Sequence, residues 1–384
     1  MRVVYADNAA TTRISDEVFD AMMPWHKERY GNASTLYRLG REAHKAIESA
    51  RQSIAKGLHA DPMEIFFTSG GTESDNWALK GTLHHYAACG KTHLIISSIE
   101  HHAVLNCAKS LEKDGITVTY LPVLPNGRIH PESVREALRP TTGLVSIMYA
   151  NNETGVIQPI AEIGAICREA GVLFHTDAVQ AAGVLQFDVQ QEKIDMLSLS
   201  AHKFHGPKGI GVLYCRKKAI PDTYMHGGEQ ERGHRAGTEN TAAIVGLAAA
   251  FEQARAEMHE KAPQIAQLRD HVETELLKID GSHLNGTAPR LPGTLNIAFD
   301  GIDGQSLLME LDIRHIAASA GSACDSGSMT PSHVLKAMGV PYTLAHGSLR
   351  LSFGRYNTAE DAEIIIREVR EAVELLRTHP VCMN

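Results

Sequence analysis

The chain has 384 residues, 43% of them hydrophobic and 21% charged, with a formal net charge of −8. That length supports a large domain plus a smaller one, and the balance supports a packed core rather than disorder. The acidic charge, with no dense Lys/Arg block, argues against nucleic acid or an anionic membrane as the main partner, and no apolar run reaches the roughly 20 residues of a membrane span.

The opening residues, MRVVYADNAATT, lack the basic-then-apolar pattern of a secretion signal, and residues 1 to about 14 are expected to be extended. Short β-branched runs then predict strands at Glu64–Thr68, His93–Ser98, Ile116–Leu121, Gly143–Tyr149, Val172–Thr176, Ile194–Leu199 and Gly209–Cys215. Helix-period stretches lie between several of them, at Glu73–Gly81, His102–Lys113 and Ile160–Ala170. This alternation predicts an α/β fold, a mainly parallel seven-stranded sheet sandwiched by helices.

Past about residue 240 the pattern changes. Helices are expected at Thr241–Met258 and Ala262–Lys278, a strand at Leu295–Phe299, a helix at Gln305–Leu311, a strand at Ser348–Ser352 and a last helix at Ala359–Arg377. In that last helix Ile365, Val369, Val373 and Leu376 recur at helical spacing and should face a core. This predicts a smaller α+β domain, built from 1–14 and 256–384, beside a large domain of 15–255.

The chemistry-bearing residues fall at the ends of predicted strands. One strand runs into Ser200-Ala201-His202-Lys203 and a Gly/Pro-rich turn. A lysine there can form an imine once partial burial favours its neutral amine; the bland alternative is a surface lysine. Asp177 ends another strand, where open α/β sheets bind ligands and where a carboxylate can keep a pyridinium nitrogen protonated; Gln180 follows it. Alone, Asp177 would more often cap a helix.

Ser69-Gly70-Gly71-Thr72 follows a strand and opens a helix, so its N–H groups and the Thr72 hydroxyl suit one phosphate. It has neither a Walker lysine nor GxGxxG. His101 and Asn152 sit just past two further strands, and His101 could stack on a flat ring and carry protons. Together these positions converge on one pocket at the strand ends.

With these residues in view, the sequence resembles, essentially end to end, the cysteine desulfurases of the NifS/IscS group, with the NifS branch nearest. The resemblance covers Tyr5–Thr12, Thr68–Asn76, Asn151–Gly155, His175–Gln180, His202–Gly211, Glu231–Asn240, Ala320–Ser326 and Arg350–Asn357. It implies a fold-type I enzyme with pyridoxal phosphate on Lys203. His101 would stack on the ring, Asp177 would pair with its nitrogen and Gln180 with its oxygen. Gly71, Thr72, Ser200 and His202 would hold the phosphate, and Asn152 would line both cofactor and substrate. Thr238 would reach the phosphate of a neighbouring subunit in a homodimer with shared active sites, while Asn32 and Arg350 would take the carboxylate of L-cysteine.

Cys324 stands in Ser319-Ala320-Gly321-Ser322-Ala323-Cys324-Asp325-Ser326, small polar residues within a loop expected at about 319–332. A buried structural cysteine normally sits in an apolar element, so this thiol reads as the sulfur-taking nucleophile. The resemblance implies L-alanine as product and a persulfide on Cys324, passed to an iron–sulfur scaffold of the NifU/IscU type. Asp325, where the family usually has Thr, should disfavour the thiolate somewhat.

The other cysteines, Cys89, Cys107, Cys167, Cys215 and Cys382, are dispersed, which suits a reducing cytoplasm. The 21 histidines show no metal-ligand spacing, so no intrinsic metal is expected beyond a cluster transiently shared with the scaffold through Cys324. The competing readings are a different fold-type I reaction, such as a transaminase or selenocysteine lyase, and a non-enzymatic scaffold or metallochaperone.

Overall fold

A computed structural model describes residues 2–287, 289–320 and 331–378. Six of the seven strands of the large sheet are short runs of residues buried on both faces, as a covered parallel sheet requires, and the edge strand Thr117–Leu121 is partly exposed. These strands are β2 (Ile65–Thr68), β3 (His93–Ser97), β4 (Thr117–Leu121), β5 (Thr142–Ser146), β6 (Leu173–Asp177), β7 (Met196–Ser200) and β8 (Gly211–Cys215). They follow β1 (Val4–Tyr5) in the chain and are ordered β2-β8-β7-β6-β5-β3-β4. All point one way except β8, which is antiparallel to both neighbours. The seven predicted strands are all present, shifted by a few residues at their ends.

Alternation along the strands divides two cores. Ile95, Val145, Phe174 and Leu197 pack on one face, whereas Leu94, Ile96, Leu144 and Met196 pack on the other. The first core is closed by the helix Arg38–Leu58, which the sequence reading passed over, and by the start of a long helix. The second is closed by a helical run that continues from Gly71 to Ala87 through a wider turn at Trp77–Gly81, past the expected end.

The smaller unit has its own core around a three-stranded antiparallel sheet of β9 (Ser282–Leu284), β10 (Thr294–Phe299) and β12 (Ser348–Ser352). Its last helix, Ala359–Thr378, buries Ile365, Val369 and Val373 there, with Leu376 packed at the edge. The N-terminal segment crosses between the units: β1 pairs in parallel with β11 (Ile316–Ala317), and Thr12 N–H bonds His202 O at 2.9 Å.

The expected pair of helices after residue 240 is a single helix, Thr241–Leu276, passing through Pro263. A mid-helix proline forfeits a hydrogen bond and crowds the preceding turn at about 3 kcal/mol. Here Leu247 and Phe251 bury in the large core while Ile265, Val272 and Leu276 bury in the small one, so packing at both ends outweighs that cost. Residue 255, expected as a domain boundary, therefore lies inside a continuous helix.

Candidate active site

The strands β3, β5, β6 and β7 are adjacent and parallel, so the chain leaves all of them at one edge of the sheet. His101, Asn152, Asp177 and the Ser200–Lys203 segment stand at those exits. The exit of β2 adds Ser69–Thr72, and the antiparallel β8 is entered from the same edge through Lys208 and Gly209. A cavity of about 510 Å³ results. It is lined by His101, Asn152, Asp177, Gln180, Ser200, His202 and Lys203, together with Gly71 and Thr72.

Two glycines make the cavity wall at the β2 exit possible. Gly70 has a φ of 153°, a conformation that side chains disfavour, and turns the strand into the helix. A Cβ on Gly71 would stand 2.6 Å from Val179 Cγ2. Behind them Glu73 accepts from Ser69 N–H at 2.8 Å and from Arg235 Nε at 2.8 Å, which fixes the loop.

Lys203 sits in the short turn Ala201–Lys203 after β7, and its Nζ donates to Ala9 O at 2.6 Å and Ala10 O at 2.8 Å. The N-terminal segment thus crosses the mouth of the lysine's compartment. Gln180 Nε2 donates to the same Ala9 O at 2.9 Å, and Thr11 Oγ1 lies 3.1 Å from His202 Nδ1. Burial pushes the His202 imidazole down to about 4, helped by Lys203 and Lys208, so it is neutral at ordinary pH.

Asp177 is 7% exposed, and its Oδ1 accepts from Val179 N–H at 2.9 Å. Burial raises its pKa, while His101 opposes the rise, as do that N–H and Lys203. His101 caps the helix His102–Lys113, with Nδ1 accepting from Ala103 N–H at 3.1 Å. That bond leaves Nε2 as the protonated nitrogen of the neutral ring, the form that burial favours by lowering its pKa.

The remaining expected residues are placed differently. Arg350 lies on β12, 1% exposed, and donates through Nη2 to Asp7 Oδ1 at 2.8 Å and through Nη1 to Asn152 O at 2.9 Å. It reaches the site by way of Asn152 and is not in the cavity wall. Thr238 lines a neighbouring pocket that shares Ser69 and Gly209 with the main cavity. Asn32 is exposed on a loop, where its side chain accepts from Ser34 N–H at 2.9 Å. Cys324 and Asp325 lie outside the described residues.

Sequence reasoning missed Ala9, Ala10 and Thr11, whose small side chains carry no periodic signal, and Asp7. It also missed Asp75, which lines the cavity while only 1% exposed. Its spacing, one helical turn after Thr72, was a usable signal. Among the described cysteines, Cys107, Cys167 and Cys215 are buried. Burial raises all three thiols, Cys107 and Cys167 to about 12. None of them lines the cavity.

Residues 4–365 match the model of the class-V aminotransferases. A curated relative, the cysteine desulfurase IscS of Methanosarcina thermophila, is 52% identical over 377 residues, covering 98% of this chain and 93% of its own. A solved structure described as a NifS-like protein superposes with a TM-score of 0.92 at 39% identity, over 98% of this chain and all 100% of that one. A second, described as SspA in complex with cysteine, gives a TM-score of 0.82 at 39% identity, over 92% and 99% of the two chains.

Proposed function

Because the chain belongs to the class-V aminotransferase family and, within it, to the cysteine desulfurases, we propose that it takes sulfur from L-cysteine using pyridoxal phosphate held on Lys203. The observation that carries this reading is that Lys203 and Asp177 line one cavity with His101 between strand exits on the same sheet edge. The donor set fits the cofactor: an amine, a buried carboxyl at a strand end, and a glycine-built wall with no room for a Cβ at Gly71.

Gly71, Thr72, Ser200 and His202 would hold the phosphate, Asp177 the ring nitrogen, Gln180 the ring oxygen and His101 the ring face. When bound, pyridoxal phosphate supplies an electron sink for the carbon bearing the substrate's amino group. Lys203 Nζ, released when the substrate's amino group takes its place, would take the proton from that carbon. His101 offers its Nε2–H to a developing negative charge, since its other nitrogen is committed to Ala103.

Arg350, beside Asn152, is assigned to the substrate carboxylate, for which a guanidinium fork is well matched. The thiolate of Cys324 takes the substrate sulfur: one S–S bond forms, the Cβ–S bond breaks, and the three-carbon fragment leaves as L-alanine after protonation. The persulfide is then passed to an iron–sulfur scaffold in the cytoplasm. Thr238, outside the single-chain cavity wall, would reach the phosphate of a neighbouring subunit in a homodimer, Asn32 would join Arg350 at the substrate carboxylate, and 15–255 with the remainder serves as a working division into domains.

The test is L-alanine and sulfide release from L-cysteine by the reconstituted protein. Lys203→Ala should abolish both products and the visible band of the bound cofactor. Cys324→Ala should abolish sulfide while keeping the band; an unchanged Cys324→Ala rate would point instead to a reaction that needs no thiol, as in a transaminase.

A further inference from the structure

Beneath Asp177 lies a buried polar row that the proposed chemistry does not use. Residues two apart on a strand share a face, so Asp177 and His175 on β6, Ser146 on β5 and Ser198 on β7 all point toward the Gly71–Ala87 helical run. Ser146 is the register partner of His175, and Ser198 that of Asp177. His175 Nδ1 lies 2.8 Å from Ser146 Oγ, and its Nε2 lies 3.0 Å from Ser198 Oγ and 3.6 Å from Asp75 Oδ1.

Asp75 closes this row from the helix side. It lines the cavity with Asp177, its Oδ1 lies 3.6 Å from His175 Nε2, and that oxygen is fully buried with no hydrogen-bond partner among the described residues. An orphaned buried carboxyl oxygen costs free energy unless something else uses it. Asp75 and Asp177 are thus two buried carboxyl groups that open onto one compartment.

We propose that Asp75 and Asp177 form a carboxyl pair sharing one negative charge, so that Asp75 takes over that charge when Asp177 cannot carry it. Two carboxylates in one desolvated compartment cannot both ionise cheaply, and one therefore keeps its proton. The groups facing Asp75 fit this: Asp177 and Glu100 oppose its ionisation, Asp75 in turn acts to raise the Cys107 thiol, and His175 is held neutral by burial. His101 and Lys203 favour charge on Asp177, so that member carries it at rest. When Asp177 is removed, Asp75 can ionise in its place.

The inference rests on the cofactor reading above and predicts non-additivity. The affinity for pyridoxal phosphate and the pH at which its visible band titrates are measured in four full-length proteins: wild type, Asp75→Asn, Asp177→Asn and the double variant. Asp75→Asn alone should stay within about twofold of wild type in affinity, whereas in the Asp177→Asn background the same change should weaken binding at least about tenfold more than additivity allows, with a matching shift of the band's titration. A structural role would give the same penalty in both backgrounds, and that result overturns the pair. Where the double variant does not fold, Asp75→Ser in the Asp177→Asn background carries the same prediction, since it too removes the second carboxyl. Failure of the wild-type chain to bind pyridoxal phosphate overturns the cofactor reading itself, whereas binding with additive penalties overturns only the pair.

Discussion

Arg350 Nη2 meets Asp7 Oδ1 at 2.8 Å, joining the edge strand β12 of the small sheet to the N-terminal segment, and the arginine is only 1% exposed. The second oxygen of Asp7 accepts from Ser319 Oγ at 2.9 Å. One carboxylate therefore holds both the arginine assigned to the substrate and the residue at which the expected cysteine loop begins. Breaking a buried pair by removing one partner leaves an uncompensated charge, at about 3–5 kcal/mol. Asp7→Ala should lose stability of that order in urea unfolding, and a loss under about 1 kcal/mol would show that the pair is solvated like a surface ion pair.

The buried carboxyl of Glu100 is raised to about 8 by burial, against a usual 4.5. Folded Glu100 keeps its proton over an interval in which the unfolded chain has released it, so stability falls as pH rises between those values and levels off above them. Glu100→Gln cannot ionise. Its melting temperature relative to wild type should therefore climb from about pH 5 to about pH 8, and a difference constant with pH would refute the assignment.

His175 acts with the opposite sign. Burial lowers its imidazole to about 3 from a usual 6.5, so its neutral form supports the fold above about 6.5 and that support is lost as pH falls toward 3. Part of the acid-side loss of stability in wild type should be missing in His175→Gln. Equal acid slopes in melting curves would show that His175 titrates like an exposed histidine.

Thiol reactivity should divide by burial. Cys89 is exposed, whereas Cys107 and Cys167, pushed up to about 12, have almost no thiolate near neutral pH. Brief alkylation of the folded protein followed by peptide mass mapping should mark Cys89 and spare Cys107, Cys167 and Cys215. Fast labelling of any of these three would mean that its helix or strand opens readily.

The strand ends were legible because buried strands read as apolar runs and Gly, Asn and His interrupt them sharply. Placing Lys203, Asp177, His101 and Thr72 at those interruptions was enough to bring them into one cavity. The N-terminal strap was not legible: Ala9 and Ala10 act through backbone carbonyls, which any residue supplies. Nor was the unbroken helix through Pro263, because local propensity argues for a stop and only burial at both ends overrides it. Arg350 was expected at the substrate carboxylate, but its partner Asp7 lies 343 residues away in sequence, beyond any periodic signal.

The central claim is tested most directly by one turnover of the pyridoxal-phosphate-loaded protein with L-cysteine, followed by peptide mass mapping and amino-acid analysis. One added sulfur on the peptide bearing Cys324, with one L-alanine per site and neither product in Lys203→Ala, is the predicted result. L-alanine without sulfur at Cys324, or sulfur retained there in Lys203→Ala, would contradict it.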